Sequence, residues 1–113
     1  MHQVMSQAMK ECIKACGTCH DLCLSMAMRH CLRRGGEHVA PEHFGLMRDC
    51  AEICQTAANF MLAGSHHHQR MCSVCAAICE ACAKSCSALD DMQECVAACE
   101  HCAQTCRQMA AAA

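Results

Sequence analysis

Apolar positions recur along this chain with the period of a helix, and cysteine fills most of them. The cysteines follow one another at steps of three and four residues. Since an α-helix turns once in about 3.6 residues, such steps keep the side chains on one stripe, where a helical bundle usually carries leucine. The ladders are Cys12, Cys16, Cys19 and Cys23; Cys50 and Cys54; Cys72, Cys75, Cys79, Cys82 and Cys86; and Cys95, Cys99, Cys102 and Cys106.

Four helices are predicted from these ladders, at about residues 3–33, 41–63, 66–88 and 91–110. Glycines at 35–36 are expected to end the first helix, and Pro41 fits the first turn of the second. Ser65 is the expected cap of the third helix, and Asp91 with Glu94 is an expected capping box for the fourth. Short connections predict an all-α, antiparallel, up-down-up-down four-helix bundle, one domain over residues 1–113 with a Cys-lined core.

The composition predicts that sulfur-containing side chains make up most of that core. Leu, Ile, Val and Phe together number 15 of the 113 residues, against 16 Cys and 10 Met. The net charge is only −2, which favours a compact fold over a disordered chain. There is no Trp or Tyr for base stacking and no basic cluster, so we expect no nucleic-acid partner. No carboxylate pair, Ser-His-Asp set or Gly-rich phosphate loop is present, so we expect no enzymatic activity.

The sequence also predicts reduced thiols in the cytoplasm. Its N-terminal residues lack the features of a secretory signal, and no run of 18 apolar residues predicts a membrane span. Cysteine-dense proteins of the cytosol bind metal or do redox work more often than they form structural disulfides. Residues four apart on a helix also hold their Cβ atoms roughly 5–6 Å apart, farther than a disulfide prefers.

A stripe of thiols along a rod favours Cu(I) over other soft metals. Structural zinc and iron–sulfur clusters need ligands that converge on one point, whereas Cu(I) accepts two or three ligands and can be held pair by pair along a helix. Each monovalent ion that replaces a thiol proton also leaves the buried charge unchanged. We expect pairs such as Cys12 with Cys16, and Cys31 and Cys72 completing sites between helices. An iron–sulfur electron carrier and a zinc or heavy-metal buffer are the alternatives.

Methionine and histidine extend the thiol stripes toward the two ends of the bundle. One end should collect Met26, His30, His43, Met47 and Met92, and the other Met5, Met9, Met61, His68 and Met109. Thioether and imidazole are neutral ligands, suited to loading and release. The expected ligands at the end where copper enters are His30, His43, Met47 and Met92. No role is expected for His20 or His38, and the role of residues 66–68, all histidine, is left open.

The chain resembles the cytosolic copper storage proteins, which are Cys-rich four-helix-bundle copper-binding proteins. The resemblance covers nearly the whole chain and is carried by the segment Asp49–Gln55, the Cys72–Cys86 ladder and the segment Cys95–Cys102. It implies a bundle that stores many Cu(I) ions on its cysteines, and a homotetramer. The chain departs from the richest patterns after Cys54, where Ala57 and Met61 continue the stripe.

Overall fold

The structure, a computed structural model, describes residues 5–111. Four helices contain most of these residues. Helix α1 spans residues 7–34, as an α-helix Gln7–Ser25, a π-helix Met26–Cys31 and an α-helix Leu32–Arg34, and a 3₁₀ turn Gly36–Val39 follows it. Helix α2 is Pro41–Leu62, α3 is His68–Ser87 and α4 is Gln93–Ala111.

The four helices form a closed ring in chain order. Helix α1 packs against α2 and α4, and α3 packs against the same two helices. The bundle measures 52 × 20 × 19 Å. The predicted all-α, antiparallel four-helix bundle is therefore confirmed. Within residues 5–111, no helix combines the length and the apolar character that a membrane span requires.

The core of the bundle is built from cysteine, alanine and methionine. All sixteen cysteine side chains have a fractional exposure of 0%, and all are free thiols. Buried alanines such as Ala15, Ala51, Ala76 and Ala103 lie between them. Small side chains let helices approach closely, so thiols from different helices can meet at the bundle axis. The Cys-lined core that the periodicity predicted is confirmed.

The helix ends differ from the predicted ends for local reasons. The predicted start of α1 at residue 3 lies outside the described residues, and α1 begins at Gln7, where the Ser6 hydroxyl accepts a hydrogen bond from the Met9 N–H at 3.1 Å. The predicted cap of α3 is wrong. Ser65 lies in a turn and accepts a hydrogen bond from the His67 N–H, so α3 begins at His68. The ends of α1 and α3 and both ends of α2 fall within one residue of prediction, as does the end of α4.

The predicted capping box of α4 is also wrong. Asp91 has a φ of 59°, in the left-handed region, and its carboxylate lies 2.9 Å from an Arg34 guanidinium nitrogen. The helix therefore begins at Gln93, two residues later than predicted. This ion pair joins the end of α1 to the connection before α4. Gly35, with a φ of 66°, ends α1 at the predicted place.

The π-helix in α1 changes the register of the residues that follow it. A π-helical turn closes i to i+5 and holds one residue more than an α-helical turn. The α-helical period predicts that His30, seven residues after Cys23, lies on the thiol face. In the structure that position belongs to Cys31, which is fully buried, while His30 is only partly buried. The π-helix thus brings a sixteenth thiol into the core.

Two glycine substitutions test these helix assignments. Gly64→Ala should lower the free energy of unfolding by about 1–2 kcal/mol, because Ala disfavours left-handed φ, and Gly64 has a φ of +66°. Gly17→Ala should raise it by up to about 1 kcal/mol, because Gly17 lies inside α1. Neither new Cβ would have a neighbour within 4 Å. Urea unfolding of the reduced, metal-free protein measures both. Loss of stability in Gly17→Ala would contradict the assignment.

Candidate metal centre

Eleven of the sixteen thiols form one connected network along the bundle axis. Each member lies 3.6–3.9 Å, sulfur to sulfur, from at least one other member. The members are Cys12, Cys16, Cys19, Cys23, Cys50, Cys54, Cys75, Cys79, Cys99, Cys102 and Cys106. All four helices contribute to this thiol network, so sulfur is continuous through the centre of the bundle.

The shortest contacts in the thiol network join different helices. Cys106 of α4 lies 3.6 Å from both Cys12 and Cys16 of α1. Cys54 of α2 lies 3.6 Å from Cys79 of α3. The contacts within one helix are longer, from 3.8 to 4.0 Å. The closed bundle therefore brings thiols of neighbouring helices as close together as successive thiols of one helix, and the pair-by-pair binding of ions along one helix stays a prediction.

Several groups of thiols are compact enough to surround a metal ion. Their sulfurs all lie within 4.8 Å of one another. The groups are Cys16, Cys75, Cys102 and Cys106; Cys19, Cys50, Cys54 and Cys79; Cys19, Cys23, Cys50 and Cys99; Cys54, Cys75, Cys79 and Cys102; and Cys12, Cys72 and Cys106. These groups share members, so at most two of the four-thiol groups can be filled at once without sharing a cysteine. The arrangement favours bridging sulfurs over separate tetrahedral sites.

The electrostatics of the core favour neutral thiols before metal binds. Burial, followed by the nearby Cys95 and Cys82, raises the pKa of Cys31. One ionised thiol raises the pKa of its neighbours, so the thiols of the core cannot all ionise together. Among residues 5–111 no Lys or Arg side chain is buried, so nothing in the core offsets many thiolate charges.

One end of the core combines a thiol with neutral nitrogen and sulfur ligands. The Cys31 sulfur lies 3.9 Å from His43 Nε2 and 4.0 Å from the Met92 sulfur. Ser85 Oγ makes a hydrogen bond of 2.8 Å with His43 Nδ1, which fixes the orientation of the ring. Burial lowers the pKa of His43, so the ring is held neutral. The structure thus brings together His43 and Met92, both predicted from spacing, and adds Ser85, which spacing did not single out.

The other two residues predicted for this end are placed differently. Met47 lies deeper, in contact with Cys82 and Cys86 at 3.7 and 3.5 Å. Within residues 5–111 the side chain of His30 makes no hydrogen bond with a thiol, and its ring meets the edge of the His38 ring, with centroids 5.4 Å apart. Its Nε2 is buried without a hydrogen-bond partner among the described residues. The π-helix explains this difference, because it moves His30 off the face that the α-helical period predicts.

Two histidines for which no role was expected join distant segments by hydrogen bonds to backbone carbonyls. His38 is buried, and its Nε2–H donates to the Asp90 carbonyl at 2.9 Å. His20 Nδ1–H donates to the Ala51 carbonyl at 2.7 Å and so joins α1 to α2. Neither contact could be predicted from the sequence, because each partner is a backbone carbonyl on a distant segment.

The opposite end of the bundle carries methionine and histidine around an open cleft. Met5, Met9, Met61, His66 and His68 line it. His68 Nδ1–H donates to the Ser65 carbonyl at 2.9 Å. Met61 and Met109 are buried at this end, but neither accepts a hydrogen bond from a thiol within the described part of the chain. The methionines and histidine predicted for this end therefore lie there, but the described residues show no hydrogen bond between them and a thiol like those of Cys31 at the first end.

Comparisons with known proteins agree with this geometry. The family model described as copper storage protein matches residues 2–111. A curated relative, the uncharacterized cysteine-rich protein YhjQ of Bacillus subtilis (strain 168), is 38% identical over 86 residues, 76% of this chain and 79% of the relative. The structure of Nmul_A1745 from Nitrosospira multiformis is 56% identical with a TM-score of 0.93, covering 95% of this chain and 98% of that one. The structure of the Cu(I)-bound copper storage protein BsCsp3, of Bacillus subtilis, is 37% identical with a TM-score of 0.84. The match covers 93% of this chain and 100% of that one.

Burial of the thiols predicts slow reaction with DTNB in the native protein. Denatured protein should release colour for all sixteen thiols of the sequence, whereas native protein should react far more slowly because no cysteine is exposed. Val74→Cys is the control, since Val74 is 44% exposed and its replacement should add one rapidly reacting thiol. Rapid reaction of many thiols in the native wild-type protein would contradict an enclosed core.

Proposed function

Because the chain belongs to the copper storage protein family, we propose that it stores many Cu(I) ions on the thiolates of its core. The observation that carries the proposal is the connected network of buried free thiols described above. Soft thiolates are the protein ligands that Cu(I) prefers. The similar structure of BsCsp3 is a Cu(I)-bound form. We assign the metal to all sixteen cysteines, including Cys31, Cys72 and Cys95 at the margins of the thiol network.

Ion charge is the physical reason that the proposal names a monovalent metal. A Cu(I) ion that displaces one proton leaves the charge of the core unchanged, and bridging thiolates let each sulfur serve two ions. A divalent ion held by four thiolates would leave two negative charges with no buried cation beside them. The overlap of the four-thiol groups would also leave many cysteines unused by zinc. An iron–sulfur electron carrier is disfavoured because the ligands lie on straight helices instead of a loop that wraps a cluster.

The proposal places this store in the cytoplasm and gives it no catalytic role. Reduced thiols persist in a reducing compartment, and sixteen free thiols need one. Sequestration would hold copper as a reserve and limit its reactivity. We also propose a homotetramer, as the family resemblance implies. It is supported by Leu24, Met28 and Leu32, which are 46%, 55% and 50% exposed at steps of four residues along α1.

Copper is proposed to enter at the end of the bundle that carries Cys31. Here a single thiol meets two neutral ligands, His43 and Met92, so an ion can bind with the loss of only one proton. Fewer thiolates mean weaker binding, which suits transfer to the deeper thiol network. The buried, unpartnered Nε2 of His30 lies near the same end and offers a further nitrogen.

Titration with Cu(I) against a competing chelator, without oxygen, tests storage. The reduced protein should take up more than about ten ions per chain and approach roughly one ion per cysteine, because each bridging sulfur can bind two ions. The loaded protein should be colourless. Saturation near four ions per chain, or a visible absorption band with bound iron, would contradict the proposal and favour the zinc or iron–sulfur alternative.

Two variants in α2 test whether the number of core thiols sets the copper capacity measured in this titration. Cys54→Ser removes a thiol that contacts Cys75, Cys79 and Cys102, and should lower the capacity. Ala57→Cys adds a thiol at the next position of the stripe, which is fully buried, and should raise it. Equal capacities in the two variants would show that the core thiols do not set the amount of copper stored.

A kinetic comparison tests the proposed entrance. His43→Leu should slow copper uptake roughly tenfold while the final amount bound changes little, because a lost ligand partner typically costs at least that factor. Met61→Leu at the opposite end is the matched control and should load at the wild-type rate. Stopped-flow transfer from a Cu(I) chelator measures both. Slower loading of Met61→Leu than of His43→Leu would place the entrance at the other end.

A further inference from the structure

The ligands proposed at the copper entrance are enclosed in this structure. Cys31, His43 and Met92 have fractional exposures of 0%, 5% and 1%. An ion or any other reagent in solution therefore reaches the Cys31 sulfur only after part of the surrounding structure has moved. The segment that moves must lie between these ligands and the solvent at this end of the bundle.

Two chain connections close this end of the bundle. Residues 35–40 join α1 to α2, and residues 88–92 join α3 to α4. Each connection contributes one apolar side chain, Val39 or Leu89, that packs against the buried core. A cleft of about 310 Å³ is lined by residues of both connections, so the two do not pack tightly against each other. Their relative position therefore depends on polar contacts between them.

These polar contacts form a clasp made of Arg34, His38, Asp90 and Asp91. One Arg34 guanidinium nitrogen lies 2.9 Å from the Asp91 carboxylate, and the other lies 3.7 Å from the Asp90 carboxylate. His38 Nε2–H donates to the Asp90 carbonyl at 2.9 Å. All three contacts join the end of α1, or the connection that follows it, to the connection before α4. When they break, the two connections are free to separate.

We propose that this clasp controls access to the metal centre, and that copper reaches or leaves Cys31 only while the clasp is open. The inference rests on the proposed function, since it takes the Cys31 end as the entrance. The side chains of Arg34 and Asp91 are 40% and 70% exposed, and an exposed ion pair adds little stability. The clasp can therefore open by a local fluctuation while the helices stay folded. The buried hydrogen bond of His38 stabilises the closed state further.

Alkylation of Cys31 by iodoacetamide tests the clasp without any metal. The reduced native protein is treated, and the rate of modification at each cysteine is measured by mass spectrometry of its peptides. Arg34→Gln should speed modification of Cys31 about two- to fivefold, the factor that an exposed ion pair typically contributes. Adding Asp91→Asn should increase the rate little further, because both changes break the same contact. Asn also tolerates the left-handed φ of 59° at this position.

A distant thiol and a second ion pair supply the controls. Modification of Cys72, at the opposite end of the bundle, should keep its wild-type rate in Arg34→Gln. Arg107→Gln removes an exposed ion pair with Glu80, between α4 and α3, and should leave the rate at Cys31 unchanged. Added salt should speed modification of Cys31 in the wild type but not in Arg34→Gln, because screening weakens only the ion pair that the variant lacks.

Loading with Cu(I) from a chelator, followed by stopped flow, completes the test. Arg34→Gln should load faster than the wild type by the factor measured in alkylation and bind the same final amount. An unchanged rate at Cys31, or an equal rise at Cys31 and Cys72 that marks unfolding of the whole bundle, would overturn the clasp and leave storage intact. Faster alkylation without faster loading would also overturn it. Failure of the wild type to bind many ions would instead overturn the proposed function.

Discussion

Sulfur–sulfur contact inside a closed bundle is the constraint on which the rest of the structure depends. Thiols from four helices meet at 3.6–3.9 Å along the axis, and alanines between them let the helices approach. A leucine core would bury more apolar area but would offer no ligand to a metal. Thiols supply less apolar area per residue, so the bundle depends on the close packing of its helices.

The absence of buried cations in the described bundle limits the negative charge that the sulfur core can hold. Many thiolates cannot be ionised together in a space from which water is excluded, and burial raises the pKa of Cys31 accordingly. An incoming metal must therefore replace protons without leaving charge behind. A monovalent ion that replaces one proton satisfies this condition. Neutral ligands such as His43 and Met92 add donor atoms without adding charge, where fewer thiols are available.

Periodicity in the sequence predicted the bundle, its buried face and the thiols on it, because steps of three and four encode a helical stripe. It did not predict the π-helix Met26–Cys31, since no residue type there signals an extra residue in the turn. That segment moved His30 off the thiol face and brought Cys31 onto it. Contacts between helices also depend on register, which spacing along one helix does not contain. The roles of Ser85 and His38 depend on partners far away in the chain, and Asp91 formed an ion pair instead of a cap.

Anomalous diffraction at the copper edge from crystals of the Cu(I)-loaded protein is the decisive test of storage inside the bundle, because it locates every ion among the sulfurs. We expect a row of copper sites along the bundle axis, each bound by two or three sulfurs and most of them bridging different helices. A few ions confined to the protein surface, or an axis free of copper with cysteines joined as disulfides, would contradict it.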